Sequence, residues 1–106
     1  MTSRIILPAN PKVGLKMDIR ILIQHPMETG FRYDASGSAM AKNVIKKLSL
    51  DLDGLILFSG ELGTGTSANP FLQWSVILPK SGWLQLKWED DEGNSGVERV
   101  LCNLSA

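Results

Sequence analysis

An all-β, two-layer antiparallel sandwich is the fold class this sequence predicts, and three observations lead to it. Apolar and polar residues alternate with period two in several separate stretches, as strands with one buried face do. Clusters of Gly, Pro, Asn, Asp and Ser punctuate those stretches at short intervals. No stretch sustains a 3.6-residue period, so no amphipathic helix is expected. Strands of this number and spacing, about seven in 106 residues, fit an immunoglobulin-like sandwich formed as one domain over residues 1–106. The cysteine pair of antibody domains is absent, since Cys102 is the single cysteine, so the likeness is one of architecture.

Ser3 to Leu7 predicts a short first strand, ended by Pro8-Ala9-Asn10-Pro11. Lys12 to Gln24 is the cleanest alternation: Leu15, Met17, Ile19, Ile21 and Ile23 share one face, with Lys16, Asp18, Arg20 and Gln24 on the other. Pro26 removes a backbone donor and pushes His25 to extended geometry, which stops the ladder there. Phe31 to Asn43 lacks periodicity and predicts a long loop with a turn at Asp34-Ala35-Ser36-Gly37. From Lys47 the alternation resumes, with Leu48, Leu50 and Leu52 inward and Ser49, Asp51 and Asp53 outward. Asp53-Gly54 is the favoured pair for a type I′ hairpin into Leu55-Ile56-Leu57-Phe58. Gly60 to Phe71 is a second irregular stretch, Leu72 to Leu78 a strand, and Pro79-Lys80-Ser81-Gly82 a turn. Leu84, Leu86 and Trp88 then point inward, opposite Gln85, Lys87 and Glu89. Asp90 to Asn94 predicts a charged turn, and Val97 to Leu104 a closing strand.

Several of these strands are apolar on both faces: Leu22 lies opposite Ile21 and Ile23, and Leu55 to Phe58 has no polar position. Val76-Ile77-Leu78 and Val100-Leu101 repeat the pattern. A two-layer sandwich buries one face of each sheet, so some of these residues are exposed unless long loops or another chain cover them. The favoured reading is another chain.

Eleven basic and eleven acidic residues give net zero charge with no basic stripe, which argues against nucleic-acid binding. No apolar run approaches the roughly 18 residues of a membrane span. Met1 to Pro8 is too short and too weakly basic for a secretory signal, so the expectation is a chain without its own export signal.

Cys102 and His25 are the one candidate nucleophile–base pair. Cys102 alternates with Val100 and Leu104, however, as a buried small hydrophobe does, so inert burial is the preferred reading. A lone histidine cannot supply a structural metal site. Gly60, Gly63 and Gly65 lack the lysine and helix of a phosphate-cradling loop. Glu89-Asp90-Asp91-Glu92 lacks the calcium-loop spacing and reads as a solvated hairpin turn. No catalytic residue, cofactor or metal is therefore assigned. His25-Pro26-Met27-Glu28-Thr29-Gly30 has two readings. One is a strand-ending turn in which Glu28 or Thr29 bonds free backbone groups. The other is a rigid epitope with His25 as donor and acceptor, Met27 as an adaptable apolar contact, and Glu28 and Arg32 as opposite charges. Residue chemistry leaves both open.

The block His25 to Gly30, followed by Arg32, Asp34 and Gly37, resembles the SoxZ family. So do Ser67, Asn69-Pro70-Phe71, and Trp88-x-Asp90 with Gly93, in order and spacing from about Leu15 to about Gly96. The resemblance implies an immunoglobulin-like sandwich that is itself non-catalytic. Its partner is SoxY, and together they form the SoxYZ heterodimeric carrier of thiosulfate and sulfur oxidation in the periplasm, reached by export together with SoxY. SoxY bears the sulfur intermediate on a cysteine in a glycine-rich C-terminal arm, which other Sox enzymes contact transiently. His25, Pro26, Met27, Glu28, Thr29, Gly30, Arg32, Asn69, Pro70 and Phe71 are then expected to form partner-facing loops. Cys102, flanked by Leu101 and Asn103 inside a strand, does not match that mobile arm.

Overall fold

A computed structural model describes residues 2–63 and 66–105. Its seven strands are β1 (Ser3–Ile6), β2 (Lys16–Ile23), β3 (Ile45–Leu52), β4 (Leu55–Gly60), β5 (Phe71–Ile77), β6 (Gly82–Asp90) and β7 (Ser95–Cys102). All pair antiparallel in two sheets, ordered β1-β2-β5 and β4-β3-β6-β7. This is the immunoglobulin-like sandwich that the alternation predicts, and it has no helix among the described residues.

The core is made by the period-two faces. Met17, Ile19, Ile21 and Ile23 of β2 meet Leu48, Leu50 and Leu52 of β3 and Leu84, Leu86 and Trp88 of β6 across the two layers. Each of these side chains contributes on the order of 1.5–3 kcal/mol on burial. Asp53 (φ 47°) and Gly54 (φ 90°) both take the left-handed backbone, as a type I′ turn requires. The Asp53 N–H donates to Trp83 C=O and its Oδ1 accepts from the Trp83 N–H, stitching the hairpin to β6.

One strand boundary moves a residue expected in the core out to solvent. β2 begins at Lys16 rather than Lys12, because Gly14 takes φ 75° and turns the chain. Leu15 is consequently exposed instead of sharing the buried face. The two-faced strands keep apolar residues in solvent: Leu55, Ile56, Ile77 and Leu101 are exposed, and no described residue of either long loop covers them. Leu78, in contrast, is fully buried.

The stretch between β2 and β3 is an arm rather than a slack loop. Glu28 and Asn43 exchange backbone hydrogen bonds at 2.8 Å, the Met40 N–H donates to Arg32 C=O, and Tyr33 bridges Ala39. The expected turn closes its tip: the Gly37 N–H donates to Asp34 C=O, and Asp34 Oδ1 accepts from the Ser36 and Ser38 N–H groups. The molecule is drawn out to 59 × 21 × 18 Å.

A buried His–Asp tie and the candidate partner-docking arm

His25 lies where β2 has run out and its ring turns inward, 1% exposed. Its Nδ1 accepts the Met27 N–H at 2.9 Å, so the ring proton sits on Nε2. Nε2 is 2.9 Å from Asp90 Oδ2 and donates to it. Met27 holds φ 49°, the left-handed backbone that bends its N–H back toward the ring, and its side chain is buried. Met27 Sδ receives the Ile45 N–H at 3.4 Å. The ring edge of His25 packs against Trp88 in a T-shaped pair, 5.7 Å between centroids at 82°.

Asp90 corrects the reading of the acidic run as a solvated turn. Asp91 and Glu92 are exposed, but Asp90 is 0% exposed at the end of β6. Its Oδ1 accepts the N–H groups of Glu92 and Asn94, at 3.0 and 2.8 Å. Its Oδ2 takes His25 Nε2–H and Asn94 Nδ2–H. Burial pushes this carboxyl up, but hydrogen bonds from His25, Asn94 and Glu92 together outweigh it and hold Asp90 below the ordinary value. A buried carboxylate with four N–H donors is a satisfied structural charge.

The second predicted loop joins the same structure. The His25 N–H donates to Asn69 Oδ1 at 3.1 Å, and the Asn69 N–H donates to His25 C=O at 2.7 Å. Asn69 has φ 51°, and Pro70 C=O accepts the Ile23 N–H. The blocks around residues 25, 69 and 90, far apart in sequence, therefore meet at one end of the sandwich.

Several side chains expected to be displayed are instead used inside the fold. His25, Met27 and Pro70 are buried. Glu28 is buried too, and its carboxylate takes Arg32 Nε–H at 2.9 Å. The Arg32 guanidinium, a hydrogen-bond donor and a positive charge, holds the Glu28 carboxyl below its usual value. The epitope reading of His25 and Met27 thus yields to a strand-ending lock, because both ring nitrogens and the thioether already have partners. Thr29 and Gly30 are half-buried; Gly30, at φ 85°, has Lys42 so close that a Cβ would lie 3.2 Å from that residue's Cβ. Pro26, Arg32, Asn69 and Phe71 face solvent. The residues most open to a partner are ones the sequence reading passed over: Phe31, 82% exposed, and Tyr33, 72% exposed, on the arm that the lock holds.

Cys102 and His25 are not a catalytic pair. Cys102 sits opposite Gly82 at the start of β6 and His25 touches Asp90 at its end, about 26 Å away at the usual rise per residue. Cys102 is fully buried, and burial pushes its thiol up, so the thiolate is disfavoured. Among the described residues no three His, Cys, Asp or Glu side chains converge as metal ligands do. Gly65 lies outside the described residues.

A family model described as sulphur oxidation protein SoxZ matches residues 5–100. The chain belongs to the SoxZ family. A search of curated proteins finds no match. Among solved structures, the chain is similar to a superoxide reductase (neelaredoxin) from Ignicoccus hospitalis, with 19% identity and a TM-score of 0.70 over 99% of this chain and 81% of that one. It is also similar to a putative superoxide reductase from Thermotoga maritima, with 15% identity and a TM-score of 0.72 over 98% of this chain and 86% of the other. At such identities the likeness is one of fold. Membership in SoxZ links the chain to sulfur oxidation, and the lock ties together His25, Asn69 and Asp90, from the three blocks that carried the resemblance.

Proposed function

We propose that this chain is the non-catalytic SoxZ subunit of a SoxYZ carrier. It binds SoxY, whose C-terminal cysteine arm carries the sulfur intermediate, and the pair works in the periplasm, where other Sox enzymes visit it transiently. The observation that carries the reading is the arm. Phe31 and Tyr33 are large aromatics held in water on a backbone-bonded, ordered projection, with a buried polar lock at its root. Such side chains are left almost wholly in solvent by the isolated domain, and aromatics are the residue types enriched at interface cores. Pre-organisation by the His25–Asp90 tie and the Glu28–Arg32 pair lowers the ordering cost of docking. The only thiol of the chain is buried within a β-strand, which supports placing the sulfur on the partner.

Mixing the chain with SoxY and measuring mass by light scattering tests the proposal. A stable one-to-one pair at micromolar concentration is expected, and absence of any pair overturns it. A Phe31→Ser/Tyr33→Ser variant should weaken that pair by roughly tenfold or more while leaving the melting temperature unchanged.

A further inference from the structure

The sandwich has four lateral edges, and they are not alike. β1 and β7 form one side, stacked on each other. β1 is only four residues long and carries Arg4. β7 carries Arg99, and Glu98 on the inward row with Gly96, Val100 and Cys102. Short length and an inward-pointing charge are the devices by which proteins stop a bare edge from pairing with another chain. The other side is formed by β4 and β5, joined by the tilted stack of Phe58 on Trp74 at 4.3 Å. β4 is interrupted by a bulge where Leu50 pairs Phe58 and Asp51 pairs Ile56. β5, Phe-Leu-Gln-Trp-Ser-Val-Ile, has none of these protections: seven residues in unbroken register with β2, no charge, no proline and no bulge. Its second edge pairs with nothing among the described residues.

One sheet has three strands and the other four. With β1 over β7 and β5 beside β4, the shorter sheet lacks a strand next to β5, across from β4. Leu55, on the inward row of β4, is left exposed beside this vacant lane, and Phe71 and Ile77, at the two ends of β5, are exposed apolar side chains on its outer row.

We propose that the free edge of β5 accepts an extended, uncharged segment of the SoxY partner as a fourth strand of this sheet. The inference rests on the heterodimer reading above and adds the surface and the mode of pairing. Main-chain hydrogen bonds to β5 supply the attachment, and apolar side chains at alternate guest positions cover Leu55 and Phe58. A second copy of this chain fits less well. Antiparallel pairing of two β5 edges needs a two-fold axis normal to the sheet, and the two overhanging β4 strands would then contend for the same lane.

Hydrogen exchange on the intact chain, alone and with SoxY, reads this directly. Alone, alternate amides of Phe71–Ile77 exchange fast because their edge is unpaired; with SoxY they become protected, while the edges of β1 and β7 keep their rates. Ile77→Lys, at an exposed outer position, should weaken the pair roughly tenfold, and Val97→Lys on β7 should leave it unchanged. Melting curves of both variants establish that they fold. If wild type forms no pair, the heterodimer reading fails first. A pair that forms without protecting β5, or that Ile77→Lys leaves intact, overturns the edge assignment. Protection of β5 that rises with this chain's own concentration, without SoxY, overturns the choice of occupant.

Discussion

Replacing Asp90 with asparagine changes one oxygen to an amide nitrogen and almost nothing in volume, so its effect reports on the carboxylate's charge and hydrogen bonds rather than on packing. The Asp90 carboxylate accepts from His25 Nε2–H on one oxygen and from the Glu92 and Asn94 N–H groups on the other. An asparagine has one acceptor oxygen. If that oxygen faces the two backbone donors, its NH₂ confronts the His25 Nε2–H; if it faces the ring, its NH₂ confronts the backbone pair. The ring cannot relieve the conflict by moving its proton, because Nδ1 already accepts the Met27 N–H. One or two buried donors are left unsatisfied, at about 1–3 kcal/mol each. The expected loss is about 2–4 kcal/mol, out of a total of roughly 5–15 kcal/mol for a domain of this size. That corresponds to a melting temperature lower by roughly 10–25 °C, measured by calorimetry or circular dichroism at pH 7. The pH dependence follows from the depressed Asp90 value. A carboxyl held below its unfolded value contributes stability above that value, about 3.9, and loses it as pH falls through the folded value. The gap between wild type and Asp90→Asn should therefore be full near neutrality and shrink below about pH 4. A variant within about 0.5 kcal/mol of wild type at pH 7 would refute the tie as a stabilising element.

Three further outcomes follow from the same geometry. Gly96→Ala places a Cβ against the Trp88 indole, which has the core behind it, and should cost about 1–3 kcal/mol by urea denaturation. Cys102 should stay unreactive toward a thiol reagent in the native protein and react at once in denaturant; rapid native labelling would contradict its burial. Glu28→Gln removes the carboxylate that grips Arg32 and should speed amide exchange across residues 31–41 with little change in melting temperature; a large drop instead would mean that the ion pair supports the whole fold.

The fold was legible because its cause is local: alternation sorts each strand's residues to one layer, and Asp53-Gly54 dictates its own turn. Leu15 was misplaced because one glycine, two residues before strand β2, can override a matching pattern. Asp90 was harder. Read with its acidic neighbours it is a solvated turn. Read with Leu84, Leu86 and Trp88 it continues the inward row by two, and that parity was the signal to follow. No local rule could supply the partner, since His25 lies 65 residues earlier. The arm's aromatics were overlooked for a related reason: Phe31 and Tyr33 stand in a stretch without periodicity, where exposure depends on cross-bridges between Glu28 and Asn43.

The division of labour between a docking subunit and a sulfur-bearing one is tested most directly by intact-mass spectrometry of the reconstituted carrier during turnover on a reduced sulfur compound. The account predicts sulfur adducts on SoxY and an unchanged mass for this chain. Persulfide or thiosulfonate on Cys102 would contradict it.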